Sequence, residues 1–97
     1  MINATEAFAI TVNTVHAKIE KGKEKARAFI PALEECIINA AKSGADNTVI
    51  YPLRAITVES QAEKSGYLTE LTNILSEAKY KIKYDASAES MKISWMG

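Results

Sequence analysis

A chain of 97 residues has room for one small hydrophobic core, which leaves stability marginal and makes self-association advantageous. Twelve basic and twelve acidic residues cancel to a net charge of zero, so overall charge gives no reason to expect nonspecific binding to nucleic acid or membrane. No stretch approaches the ~20 apolar residues of a membrane span, residues 1–6 lack the basic and apolar regions of a signal peptide, and the single cysteine, Cys36, fits a reducing compartment; the expected location is the cytoplasm.

Asn3 with Glu6 three residues on matches a capping box and predicts the start of a helix. Phe8, Val12, Val15, Ile19, Gly22, Ala26, Phe29, Leu33, Cys36 and Ala40 then follow at alternating steps of four and three, which places them on one apolar stripe. Cys36 is expected to be buried there as a small apolar residue. Gly22 and Pro31 interrupt the chemistry but not the register, so a bend or break is expected within 21–31. Gly44 is placed to end the helix, which makes residues 1–43 a helical segment.

The β-branched and aromatic run at 47–51, closed by Pro52, predicts a short strand, and residues 53–56 a connection. Thr57 or Ser60 is expected to cap a second helix, with Glu63 at capping-box distance from Ser60 and Tyr67, Leu68, Leu71, Ile74, Leu75 and Ala78 on its apolar face. Gly66 reads as a weak point in that helix. Tyr80, Ile82 and Tyr84 alternate with Lys81 and Lys83, and Met91, Ile93 and Trp95 with Lys92 and Ser94; this period of two predicts a hairpin across the polar loop 85–90. A single domain follows, an α+β two-layer sandwich of order α(bent or split)-β-α-β-β. Residues 47–96 form its β-α-β-β unit, and helices cover one face of a three-stranded sheet.

Catalytic chemistry finds no foothold. His16 is the only histidine and has no ligand or nucleophile at a useful spacing, adjacent Glu34 and Glu35 diverge on a helix, and the glycines at 22, 44, 66 and 97 build no phosphate loop. No catalytic residue, metal site or cofactor is expected. The basic cluster Lys18, Lys21, Lys23, Lys25 and Arg27 is interleaved with Glu20 and Glu24, which favours a solvated, ion-paired helix face over nucleic-acid binding. Alternation places Lys81, Lys83, Lys92 and Ser94 on one sheet face, with Thr48 and Ile50 as candidate neighbours from the first strand. This cationic platform either keeps an open sheet face soluble or receives an anion. Arg54 follows Tyr51-Pro52 in a loop and is the arginine suited to grip a phosphate or carboxylate, unless Glu59 or Glu63 pairs with it. A domain of this size covers only part of the long stripe, so Phe8, Val12, Val15 and Ile19 are expected to face a second copy of the chain.

The order of Ala40-Ala41-Lys42-Ser43-Gly44, a Val-Ile-Tyr-Pro-Leu strand, a helix, a Tyr-Lys-Ile-Lys-Tyr strand and a closing Lys-Ile-Ser-Trp strand resembles small uncharacterised accessory proteins of tailed bacteriophages and prophages. The resemblance covers about residues 33–96, and departs from the family's usual Gly-Tyr before the second strand in having Ala78-Lys79-Tyr80. It implies a protein of the host-cell cytoplasm with no catalytic residues to transfer. The expectation is a non-enzymatic accessory protein that oligomerises and binds an anionic partner, in its most specific form an anti-defence protein sequestering a nucleotide immune signal. A partner protein of phage or host, a structural role in the virion, and a nucleic-acid regulator acting through residues 18–27 are the alternatives.

Overall fold

The computed structural model describes residues 1–95 and has the expected α+β architecture. Helix α1 (Ala4–Lys42) starts at Asn3, whose side chain accepts from the Glu6 N–H at 2.9 Å. It ends in a Schellman turn. Gly44 takes φ +90° there, its N–H donating to the Ala41 carbonyl and that of Ala45 to Ala40, both at 3.0 Å. Between these ends the helix is unbroken over 39 residues, so of the bend or break expected within 21–31 the break is absent. Pro31 forfeits the bond to the Arg27 carbonyl, but Ala26, Leu33 and Ile37 on either side of it are buried, and that packing holds the helix through the defect.

Strand β1 (Asn47–Ile50) leads into a single turn, α2 (Pro52–Ala55), where only a connection was expected; Pro52 stands in its first turn, where a missing N–H costs nothing. Helix α3 (Gln61–Glu77) begins at Ser60, whose hydroxyl accepts from the Glu63 N–H at 3.1 Å, and the hairpin follows as β2 (Lys81–Asp85) and β3 (Ser90–Ser94). The sheet order is β1-β3-β2, with β3 antiparallel to both neighbours. Met96, the last residue of the expected β-α-β-β unit, lies outside the described residues.

Helices α1 and α3 run in the same direction along the inner face of the sheet. Successive contacts show this: Gly22 meets Glu63 and Tyr67, Arg27 meets Glu70, and Ile30 to Ile38 share a groove with Ile74 and Ala78. At the first of these the backbones touch. A Cβ on Gly22 would stand 2.0 Å from the Glu63 carbonyl oxygen, and one on Gly66 2.2 Å from that of Ile19. The glycine read as a weak point in α3 is thus the residue that lets the two helices meet.

The core takes Ala26, Leu33 and Ile37 from α1, Tyr67, Leu71 and Leu75 from α3, and Ile50, Met91 and Ile93 from the sheet. Tyr67 is fully buried, its hydroxyl donates to the Pro52 carbonyl at 2.9 Å, and burial pushes its phenol up to about 12. Cys36, expected inside, is exposed, and Ile37 is buried in its place. A straight helix of 3.6 residues per turn rotates a strict 3.5-residue stripe by about 20° per heptad, so the pattern that faces the core at Gly22 and Leu33 has turned off it by residue 36.

Helix α3 closes in a second Schellman turn, with the Lys79 N–H donating to Ser76 and that of Tyr80 to Leu75, each at 3.0 Å. Lys79 therefore occupies the left-handed position at φ +74°, a region that favours glycine. Lys79→Gly is expected to raise stability by roughly 1 kcal/mol, because a residue with a Cβ is strained in that region. The urea midpoint of the variant measures it, and an unchanged or lower midpoint would count against this reading of the turn.

Candidate functional site

Burial of Met91 and Ile93, with Ile82 half-buried beside them, fixes which sheet face remains open. Across that face the register sets Asn47, Ser94 and Lys81 in one row and Val49, Lys92 and Lys83 in the next. The structure thus brings together Lys81, Lys83, Lys92 and Ser94, as the alternation predicts. The first strand contributes Asn47 and Val49, not Thr48 and Ile50; Ile50 is in the core, opposite Met91. A strand's parity cannot be read until its pairing is known, which is why these neighbours were missed.

Lys83 and Lys92 stand directly opposite each other, an arrangement that like charges disfavour, and neither forms an ion pair among the described residues. Asp85, the acid at the end of β2, does not neutralise them: its Oδ1 accepts from the N–H groups of Ser87 at 3.0 Å and Ala88 at 3.3 Å and so closes the hairpin loop. A bound anion would relieve the repulsion between the two lysines. Arg54 lies beyond the end of β1, on α2, with its guanidinium 4.4 Å from the centre of the Tyr51 ring. Its two expected acidic partners are taken by others. Glu59 pairs with Lys21 at 3.6 Å, and Glu63 with Lys25.

The basic cluster on α1 is largely spent on the fold. Arg27 reaches Glu70 at 3.2 Å, Lys23 pairs with Glu20 at 3.5 Å, and the Lys25 ammonium bonds both Glu63 and, at 2.7 Å, the Thr57 carbonyl. Glu63 is 1 % exposed. The hydrogen bond from Lys25 outweighs burial and holds its carboxyl below the ordinary 4.5, with the Glu59 N–H and the charges of Lys25 and Lys21 adding to the effect. Lys25 and Glu63 therefore fasten the chain before α3 onto α1. Sequence spacing gave no sign of a pair 38 residues apart.

The second surface is the N-terminal half of α1. Ahead of the half-buried Ile19 every α1 residue but Ala7 is exposed, and the molecule measures 63 Å along one axis against 23 and 21 Å on the others. Phe8, Val12 and Val15 are 69, 47 and 41 % exposed, and Val12, Val15 and Ile19 line a shallow depression with Thr11 and His16. A further groove of about 300 Å³ between α1 and α3 is lined mainly by isoleucine and leucine, with Glu34 and Tyr80 as its polar members. Among the described residues no three acids, histidines or cysteines are grouped to hold a metal ion, and no helix is long and apolar enough to cross a membrane.

Fold and surfaces define a class: a small α+β domain with one open, lysine-bearing sheet face and a helix that projects from its body. No family model, curated protein or solved structure matches the chain.

Proposed function

We propose that this chain is a non-enzymatic binding protein that self-associates through the N-terminal half of α1 and takes an anionic partner on the outer face of its sheet. The observation that carries the reading is the row of Phe8, Val12 and Val15, an apolar surface that the chain itself leaves uncovered. Phe8→Asp is expected to give monomers that keep the folded core, since Phe8 makes no part of it. Sedimentation of wild type and variant decides it, and equal masses would sink the interface.

For the sheet face, the paired lysines and nearby Ser94 suit a phosphate-bearing ligand. Together with the resemblance to phage accessory proteins, this supports sequestration of a nucleotide signal of host immunity as the specific form of the function. Calorimetry against cyclic nucleotides and adenosine-diphosphoribose derivatives is expected to show binding that weakens at least about tenfold, or 1.4 kcal/mol, in Lys83→Glu/Lys92→Glu. No heat with any of these compounds would overturn the sequestration reading and leave self-association standing.

A further inference from the structure

We infer that two copies pair through antiparallel N-terminal halves of α1, in a register that sets Phe8 of one copy against Ile19 of the other and Val12 against Val15. The inference rests on the self-association reading above and adds the geometry. The four apolar residues are spaced by four, three and four, a pattern that reads the same in both directions, so a two-fold axis between Asn13 and Thr14 matches every one of them to a partner. Phe8 of one copy then faces the depression that Val12, Val15 and Ile19 of the other form with Thr11 and His16.

The position of α3 excludes the parallel alternative. From Gly22 onward the face of α1 that carries the stripe is occupied, with Gly22 against Glu63 and Tyr67, whereas Gly66 meets only the backbone of Ile19, whose half-buried side chain still lines the depression. In a parallel pair both copies would bring α3 to the same level between the two α1 helices. These would have to lie far beyond the 8–10 Å of packed helices, and the stripe would part at Ile19. In the antiparallel pair the level of Gly22 corresponds to Thr5 of the other copy. The partner helix, which begins at Ala4, therefore ends where α3 begins. The pairing uses α1 from Ala4 to Lys23, little more than the length that the chain leaves free. The segment's charge agrees, because between Glu6 and Lys18 it carries no acid or base other than His16, and a like apolar surface complements it better than a charged one.

The two arrangements differ in length. Two molecules of 63 Å overlapping over about 20 residues, or roughly 30 Å at 1.5 Å per residue, span about 95 Å, whereas a parallel pair stays close to the length of one molecule. Small-angle X-ray scattering on the unmodified protein, with sedimentation giving the number of chains, tests this. Two chains with a maximum dimension near 95 Å is the expected result. Two chains with a maximum dimension near 65 Å would overturn the antiparallel register while leaving self-association intact; three or more chains would overturn the two-fold pair; and a single chain at high micromolar concentration would overturn both the inference and the reading beneath it.

Discussion

Gly22→Ala is expected to destabilise the protein by about 3 kcal/mol or more, although alanine is the better helix former by about 1 kcal/mol. The added methyl would lie 2.0 Å from the Glu63 carbonyl oxygen and 2.8 Å from the Tyr67 nitrogen, and both are backbone atoms of a helix that cannot turn aside as a side chain would. Relief requires α3 to retreat from α1, which pulls Tyr67 and Leu71 from the core they share with Ala26 and Leu33. Gly66→Ala meets the Ile19 carbonyl at 2.2 Å and belongs to the same contact, so the double variant should cost less than the sum of the two. Gly44→Ala is the control. Nothing lies within 4 Å of it, and only its φ of +90° opposes a side chain, so its expected cost is about 1 kcal/mol. Urea unfolding of the three single variants orders them. A gain in stability for Gly22→Ala, as helix propensity alone dictates, would show that the backbones do not touch.

Removing Lys25 is expected to reverse the local pH dependence of folding. In the wild type the Glu63 carboxyl sits below its ordinary 4.5 when folded, so its stabilisation is fully present above that value and is lost as pH falls through the lower folded value. In Lys25→Met the ammonium is gone, burial becomes the dominant influence, and the carboxyl moves above 4.5. The folded state then binds its proton more readily than the unfolded chain. Stability due to this group is accordingly poorest at neutral pH and recovers on acidification. The clean measurement is the difference in urea midpoint between Lys25→Met and Lys25→Met/Glu63→Gln from pH 7 to pH 4: it should be large at pH 7 and shrink toward pH 4. A difference that does not change with pH would mean that Glu63 is not confined as the structure places it.

The elements of this fold were legible because each is marked by local chemistry. Asn3 and Ser60 cap, Gly44 ends α1, Pro52 ends β1, and the alternation around Lys81, Lys83 and Lys92 sets the inward and outward faces of the hairpin. The lysine face was legible for the same reason. What escaped depends on partners distant in sequence. Whether a glycine weakens a helix or admits a neighbour is decided by the other helix, and Gly22 and Gly66 look alike until α1 and α3 are laid side by side. The membership of Asn47 and Val49 in the open face required the pairing of β1 with β3, and the role of Lys25 required Glu63. Cys36 was misplaced because a 3.5-residue pattern was followed along a helix that does not supercoil within its own chain.

The middle strand of the sheet is β3, the last in sequence, and both β1 and β2 bond to it rather than to each other. During synthesis, therefore, no complete sheet exists until Ser94 has left the ribosome: β1 emerges some forty residues before its only partner. Until then Ile50 has no strand to pair with, and the first half of the core is held by α1 and α3 alone. A chain stopped short of residue 90 loses every pairing in the sheet, while one that reaches it gains all of them within a few residues, so the sheet assembles only when β3 is available.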